Sequence, residues 1–414
     1  MLGNIYKILR TTLFTVILCA CSNTENYTPI ENFQLNTNKT AEALYSIMYK
    51  LNDDINETTL KKDYLYERFK IVHISDSHLS NWTADNHYNF PKNLIEAVNF
   101  VNQKQLRINA MVATGDLISN METTTAMEAK MFLSAFNSFY YAQNSIPSFF
   151  CTGNHDQNML TDNISYHLSK QDLHETLFSR KNYTLKQPYG ENYFYADVKS
   201  PDESIIRFIA LDNTDQDYTS HKSINYSCIT QKQVDWFTQT ALKENMTNNH
   251  HIIILTHHPL QPYSKNQESY MCSGNHLYDE KLIPDIINAF ITKSSIKRSY
   301  KTIIAPRLTI KVETDFKNTP GEFICYMGGH THTNAHFYVK NNDGSNIKQV
   351  MLLANTLAPD LQNKRYSYIH REKESLTSNS FSIYAIDTKE KMIYITYFGA
   401  KSDNTPTIET ISYR

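Results

Sequence analysis

Phe69-Lys70-Ile71-Val72-His73-Ile74-Ser75-Asp76-Ser77-His78 is an apolar run that stops abruptly at an aspartate and a histidine two residues apart. A short run rich in β-branched residues reads as a buried strand. Residues two apart in extended chain point to the same side, so Asp76 and His78 can bite one site. Working outward, four more segments repeat the pattern of an apolar run followed at once by a metal-competent residue: Thr114-Gly115-Asp116, Gly153-Asn154-His155-Asp156, Thr256-His257-His258-Pro259 and Gly329-His330-Thr331-His332. His330 and His332 form a second i, i+2 pair. Open α/β sheets gather ligands just past the carboxyl ends of their strands, so five distant segments can meet on one rim. Of only ten glycines, four (Gly115, Gly153, Gly328 and Gly329) sit in these motifs, where a sharp turn or close backbone approach is needed.

The rest of the chain supports a layered α/β fold. Further strands are expected at Ala110–Thr114, Ser148–Thr152, Ile205–Leu211, Ile252–Thr256, Phe323–Met327, Phe337–Val339, Val350–Ala354, Phe381–Ile386 and Met392–Phe398. The last two bracket Asp387-Thr388-Lys389-Glu390 and read as a hairpin. Leu94, Ile95, Val98 and Val101 repeat at helical spacing. Thr230 and Gln233 form an expected capping box for a helix carrying Val234, Phe237 and Ala241. Another helix is expected near Glu280–Phe290, within an insertion at about 260–322.

Taken together, the ordered blocks D-x-H, GD, GNH-[DE], H and GH-x-H resemble the calcineurin-like metallophosphoesterase family, strongly over about Phe69 to His332. The resemblance implies an αββα fold, two mixed sheets in a sandwich flanked by helices. It implies two divalent ions (Mn, Fe or Zn), the first held by Asp76, His78 and His332, the second by Asn154, His257 and His330, with Asp116 bridging. It implies hydrolysis of a phosphomonoester or phosphodiester, with a metal-bridging hydroxide as nucleophile. His155 would serve as general acid and Asp156 would orient it and hold it protonated. Asp76 and Asp116 cancel two of the four positive charges of such a pair, leaving charge for a phosphate. His258, His73 and His336 read as structural. Ser119 stands where the purple acid phosphatase branch carries its tyrosine ligand, which points instead to a bacterial exported branch. The stretch after His332 is too short for the extra carboxy-terminal domain of 5'-nucleotidases. A capture protein that keeps the pocket without catalysis is the alternative.

Composition sets the outer bounds. The chain of 414 residues is 41% hydrophobic and 20% charged, with a net charge of -2. No Lys/Arg-rich run provides a nucleic-acid footprint, so a small phosphate ester is the expected partner. Residues 1–21 read as a signal peptide: Lys7 and Arg10 precede an apolar run, Thr11–Cys19, too short to span a bilayer. Leu18-Cys19-Ala20-Cys21 resembles a lipobox with Cys21 lipidated. An ordinary cleaved signal or an uncleaved anchor fits the same run. On this reading residues 22–40 are a polar tether, residues 41–414 the catalytic domain, and the location the cell envelope, with membrane contact through the lipid alone. Cys151 and Cys325 lie in apolar runs and read as buried free thiols, whereas Cys228 and Cys272 lie in polar stretches and are either bridged or two unpaired loop cysteines. Asn81, Trp82, His87, the segment Asn213–Asn225, Tyr263, Tyr270, Asn275 and His276 are loop candidates for substrate contact.

Overall fold

The computed structural model describes residues 68–79, 90–102, 106–119, 124–142, 146–158, 163–215, 229–261, 281–301, 309–339, 347–354, 380–400 and 408–414. Cys21, Cys228, Cys272, Asn81, Trp82, His87, Tyr263, Tyr270, Asn275 and His276 lie outside them, as do the signal peptide and tether and most of Asn213–Asn225.

Strand β1 (Phe69–Ile74) is buried along its whole length. Phe69 and Ile71 join the core between two sheets, while Val72 and Ile74 join the core under the helices. A strand buried on both faces needs apolar residues at successive positions, which is why the run lacks a polar face. β1 pairs in parallel with β2 (Ala110–Thr114), and β2 in parallel with β3 (Ser148–Cys151). Antiparallel strands β12 (Ser380–Asp387), β13 (Met392–Gly399) and β14 (Ile408–Ser412) extend the other side of β1, giving the order β14-β13-β12-β1-β2-β3.

The second six-stranded sheet contains β4 (Phe194–Lys199), β5 (Ile205–Ala210), β6 (His250–Leu255), β9 (Glu322–Gly328), β10 (Ala335–Val339) and β11 (Gln349–Leu353). Its order is β10-β11-β9-β6-β5-β4, with β5, β6, β9 and β11 parallel and the two outer strands antiparallel. Phe149, Val112 and Cys151 from the first sheet meet Phe208, Ile253, Leu255 and Met327 from the second in one core. Each such side chain contributes about 1.5–3 kcal/mol on burial. Cys151 and Cys325 are buried free thiols within it, as expected.

Helices α1 (Phe90–Val101), α2 (Ala126–Ala142) and α3 (Lys170–Leu177) cover the outer face of the first sheet. A reciprocal capping box of Ser169 and Asp172 starts α3. Helix α4 (Gln231–Trp236), its π-helical continuation Phe237–Ala241, and α5 (Leu282–Ile291) cover the second sheet. Joining them is a hairpin of β7 (Ser295–Lys301) and β8 (Thr309–Asp315), which buries Ile296, Tyr300, Ile310 and Val312 on that side. The four layers are helix, sheet, sheet and helix, the expected αββα sandwich.

One local expectation is corrected. Thr230 does cap α4 by accepting from the Gln233 amide, but the Gln233 side chain does not complete a box. Its amide instead clamps the Asp212 backbone, Nε2 donating to the Asp212 carbonyl (2.8 Å) and Oε1 accepting the Asp212 N–H (2.9 Å). A buried backbone pair at a strand end outcompetes a cap that water can satisfy.

Candidate metal centre

The site sits where both sheets end. Asp76 and His78 follow β1, Asp116 follows β2 and Asn154 follows β3, all from the first sheet. His257 follows β6, and His330 and His332 follow β9, all from the second. The parallel ladder carries on past the strands: Asp76 N donates to Gly115 O (3.1 Å) and His78 N to Asp116 O (2.9 Å). The Asp76 carboxylate is held from the opposite sheet, both oxygens accepting the His330 N–H at 3.1 Å. Asp116 Oδ1 accepts the His155 N–H at 2.9 Å, leaving Oδ2 turned to the histidines.

Two groups of side chains can each surround one ion. Asp76, His78, Asp116 and His332 form one, and Asp116, His257 and His330 the other, with ligand atoms in each group within 4.8 Å of one another. Asp116 belongs to both. In the first group His78 Nε2 lies 3.2 Å from His332 Nε2 and 3.5 Å from Asp116 Oδ2, and His332 Nε2 lies 3.3 Å from Asp76 Oδ1. In the second, His257 Nε2 lies 3.2 Å from Asp116 Oδ2 and 3.0 Å from Asn154 Oδ1, which is itself 3.1 Å from His330 Nδ1. All seven expected ligands are therefore brought together and buried. Imidazole and carboxylate donors without thiolate suit a divalent ion of borderline hardness.

Local chemistry sets the protonation of the histidines and of Asp116. His257 Nδ1 lies 2.7 Å from the Thr114 carbonyl. A carbonyl only accepts, so Nδ1 carries a proton and Nε2 is the ring atom that faces the centre. Burial pushes the His257 imidazole down, but the Asp116 carboxylate, aided by Asp76 and the Thr114 carbonyl, raises it to about 9. Burial, then neighbouring His155, holds His78 well below the ordinary histidine value, and burial with His257 does the same to His330. Burial raises the cost of the Asp116 charge, yet the surrounding histidines, led by His257, keep its carboxyl well below the usual range. His78 and His330 are thus neutral beside an ionised carboxylate, the state a cation requires, whereas His257 gives up a proton when a cation takes its place.

Backbone geometry adds a feature that the motifs alone did not suggest. Asp76, His78, Asp116, His330 and His332 have φ of 55°, 45°, 49°, 67° and 50°. Such left-handed conformations cost non-glycine residues about 1–2 kcal/mol each, so five of the expected ligands sit on strained backbone. Asp and His tolerate this region better than most residues, which makes the strain affordable but not readable from spacing. Gly115 (φ 83°) and Gly153 are the close-approach points: a Cβ on Gly115 would lie 2.6 Å from His257 Nδ1, and one on Gly153 only 2.1 Å from Asp116 N.

A family model described as calcineurin-like phosphoesterase matches residues 69–334, well over half of the chain. The chain belongs to the calcineurin-like phosphoesterase family. No curated protein is found to match it. Membership makes the chain one of a family of metal-dependent hydrolases, and the buried Asp/His cluster supplies donors for divalent ions.

Within this metallophosphoesterase, His155 and Asp156 do not act on each other as expected. His155 Nε2 lies 3.9 Å from Asp116 Oδ2, its ring packs edge-on against His78 at 4.7 Å, and its side chain is 22% exposed, the most open in the cluster. Asp156 Oδ1 accepts from Leu117 N (2.7 Å) and Ile118 N (3.2 Å), and Oδ2 from Gly153 N (2.7 Å). That carboxylate staples the turn after β3 to the loop after β2. Burial, with Asp116 nearby, pushes it up to about 7. Burial likewise lowers His155, so Asp156 does not hold it protonated. The correction has a simple cause: three converging amides in a sharp turn outbid one imidazole for two oxygens.

The histidines read as structural are where that role places them. His73 is buried in β1, with Nε2 2.8 Å from Thr114 Oγ1 and Nδ1 3.3 Å from the Tyr384 hydroxyl. His258 stacks at 4.3 Å on the His330 ring. His336 pairs with Glu409 at 2.8 Å, away from the ligands. Asp212, at the end of β5, was not among the expected site residues. Its signal is the same as theirs, an apolar run ending in aspartate, but without the second histidine that flags a ligand.

Proposed function

We propose that this chain hydrolyses a phosphate ester with two divalent cations, bound by Asp76, His78 and His332 on one side and by Asn154, His257 and His330 on the other, with Asp116 serving both. The observation that carries the reading is the sharing of Asp116 Oδ2, which lies 3.5 Å from His78 Nε2 and 3.2 Å from His257 Nε2, one ring from each group. A pair of bound divalent ions would supply a water acidic enough to ionise near neutral pH and would offset the charge of a phosphoryl group. The chain's own residues do the rest. Asp76 and Asp116 are fixed by backbone amides, so they need not reorganise when an anion arrives. The Thr114 carbonyl fixes the His257 ring. His155, the most open side chain of the cluster, is the group we assign to donate a proton to the leaving oxygen. Manganese, iron and zinc all suit the donor set.

A small phosphate ester is the proposed substrate, monoester or diester, since nothing in the composition favours a polyanion. We also place the protein at the cell envelope, held by lipid on Cys21. A Cys21→Ser variant that stays in the membrane fraction would contradict that placement. The catalytic reading is tested by release of p-nitrophenol from p-nitrophenyl and bis-p-nitrophenyl phosphate with Mn²⁺, Zn²⁺ or Fe²⁺, alongside metal analysis. Metal-dependent hydrolysis is expected. Protein that takes up the ions yet hydrolyses neither ester would instead support a capture protein.

A further inference from the structure

The turn that carries Asn154 and His155 is gripped at both ends by one segment of the opposite sheet. At its start, Thr152 Oγ1 donates to Asp212 Oδ1 at 2.7 Å. At its end, Gln157 Nε2 donates to the Thr214 carbonyl at 2.7 Å and reaches Thr214 Oγ1 at 2.9 Å. Between these anchors, Asn213 Nδ2 donates to Thr256 Oγ1 at 2.8 Å. Thr152 lies two residues before Asn154, and Thr256 immediately before His257. Asp212 and Asn213 thus reach in two directions, one to each half of the second ligand group, whose Asn154 Oδ1 and His257 Nε2 meet at 3.0 Å. The segment is itself rigid. Asp212 Oδ1 also accepts from Thr214 N (3.0 Å) and Thr214 Oγ1 (2.8 Å), and Gln233 holds the Asp212 backbone from both sides. Asp212, Asn213 and Thr214 are all at most 1% exposed. The bonds from Thr152 and Gln157 pass between the sheets, because β3 belongs to one and β5 to the other.

We propose that Asp212 and Asn213 are positioning residues that register the two halves of the second cation's ligand set, and that the first cation's set does not depend on them. The inference rests on the two-cation reading above. The first set draws on the segments after β1, β2 and β9, and among the described residues none of these strands hydrogen-bonds the 212–214 side chains. All three donors to the Asp212 carboxylate fall on Oδ1, while Oδ2 is buried without a partner among the described residues. Asparagine can therefore keep every bond by presenting its oxygen at the Oδ1 position, so shape rather than charge is what the site uses here.

The test is Mn²⁺ titration of the full chain, followed by metal analysis and by electron paramagnetic resonance. Wild type is expected to bind two ions and to show the spectrum of an exchange-coupled pair. Asp212→Ala should weaken the second ion by about 10–100-fold, as loss of an outer partner does, and leave the spectrum of an isolated ion. Asp212→Asn should restore the coupled spectrum. Thr152→Val removes the same bond from the other end and should behave as Asp212→Ala does; it carries the test alone if Asp212→Ala does not fold. Retention of both ions and coupling in Asp212→Ala or Thr152→Val would overturn the proposal, as would Asp212→Asn failing to rescue. Wild type that binds fewer than two ions would sink the two-cation reading instead.

Discussion

Replacing Gly153 by alanine adds one methyl group, and its consequences can be worked through. Gly153 does not need a left-handed φ, so the substitution costs nothing in backbone strain. The new Cβ would lie 2.1 Å from Asp116 N, 2.3 Å from Asp116 Oδ1 and 2.9 Å from the Gly115 carbonyl carbon. An ordinary contact is about 3.5 Å, so the turn must retreat from the Asp116 loop by more than about 1 Å. Two of the three clashing atoms are backbone, and Asp116 Oδ1 already accepts the His155 N–H, so neither side can yield cheaply. Overpacking of this kind costs about 1–3 kcal/mol or more. The same retreat would draw Asn154 Oδ1 away from His257 and His330, now 3.0 and 3.1 Å distant. A displacement of about 1 Å at a reacting centre can cost about 10² in rate. Gly153→Ala should therefore lose both thermal stability and metal, and its turnover should fall by at least about 10². Gly190→Ala is the control: its φ is 72°, but a Cβ there meets nothing within 4 Å. It should lose about 1 kcal/mol through strain alone and keep its metal. Differential scanning calorimetry and metal analysis of both variants decide the matter. Full metal content and rate in Gly153→Ala would refute the close apposition of the two loops.

Asp116→Asn should strip metal and abolish activity, whereas His155→Ala should keep metal and slow turnover by about 10²–10⁴; metal analysis with steady-state kinetics separates the two roles. Burial holds His73 at about 3 in the folded chain, against 6.5 for an ordinary histidine. The unfolded chain therefore takes a proton below pH 6.5 that the folded chain refuses, so stability is full above that pH and falls as pH drops toward 3. At pH 5 the loss comes to about 2 kcal/mol, and His73→Gln should show a correspondingly smaller drop between pH 7 and pH 5 in denaturant titrations; equal drops would refute it. Arg207, fully buried, donates to both Asp197 oxygens at 2.7 Å and to the carbonyls of Ala241 (3.0 Å) and Glu244 (2.7 Å). Arg207→Met should cost about 2–3 kcal/mol in chemical unfolding, less than a wholly buried pair because Asp197 is 32% exposed.

What could be read from the chain follows from how much each element depends on its own residues. β1, β2, β6 and β9 are central strands and β3 is a fully buried edge strand; all five are apolar at successive positions and end in chemistry, and they stand within two residues of their expected bounds. The edge strand β4 and the hairpin β7–β8 were not foreseen. Ser295–Lys301 offers only Ile296 and Tyr300 to the core, and its strand character comes from pairing with β8. Helices α2 and α3 were likewise not delimited; α2 is apolar on so much of its surface that no single stripe stands out. In the site, the clustering of the seven expected ligands was legible because ordered Asp, Asn and His blocks are rare. The tasks of Asp156 and Gln233 were not, because both bind backbone amides or carbonyls that become neighbours only after folding. The strained φ values at five ligands are equally invisible, since they are imposed by the meeting of two loops.

Four of the seven proposed ligands come from one sheet and three from the other, the last of them at His332. A chain emerging from synthesis thus carries four of these donors for 103 residues, from Asn154 to His257, before a donor from the other sheet arrives. Neither layer alone offers a closed coordination shell, so an ion captured early would be held loosely and exchanged freely. On the two-cation reading, loading would become selective only once the layers have docked, and each bound ion would then act as a rivet through both plates. Chelation should for that reason loosen the seam between the plates before it disturbs either plate on its own.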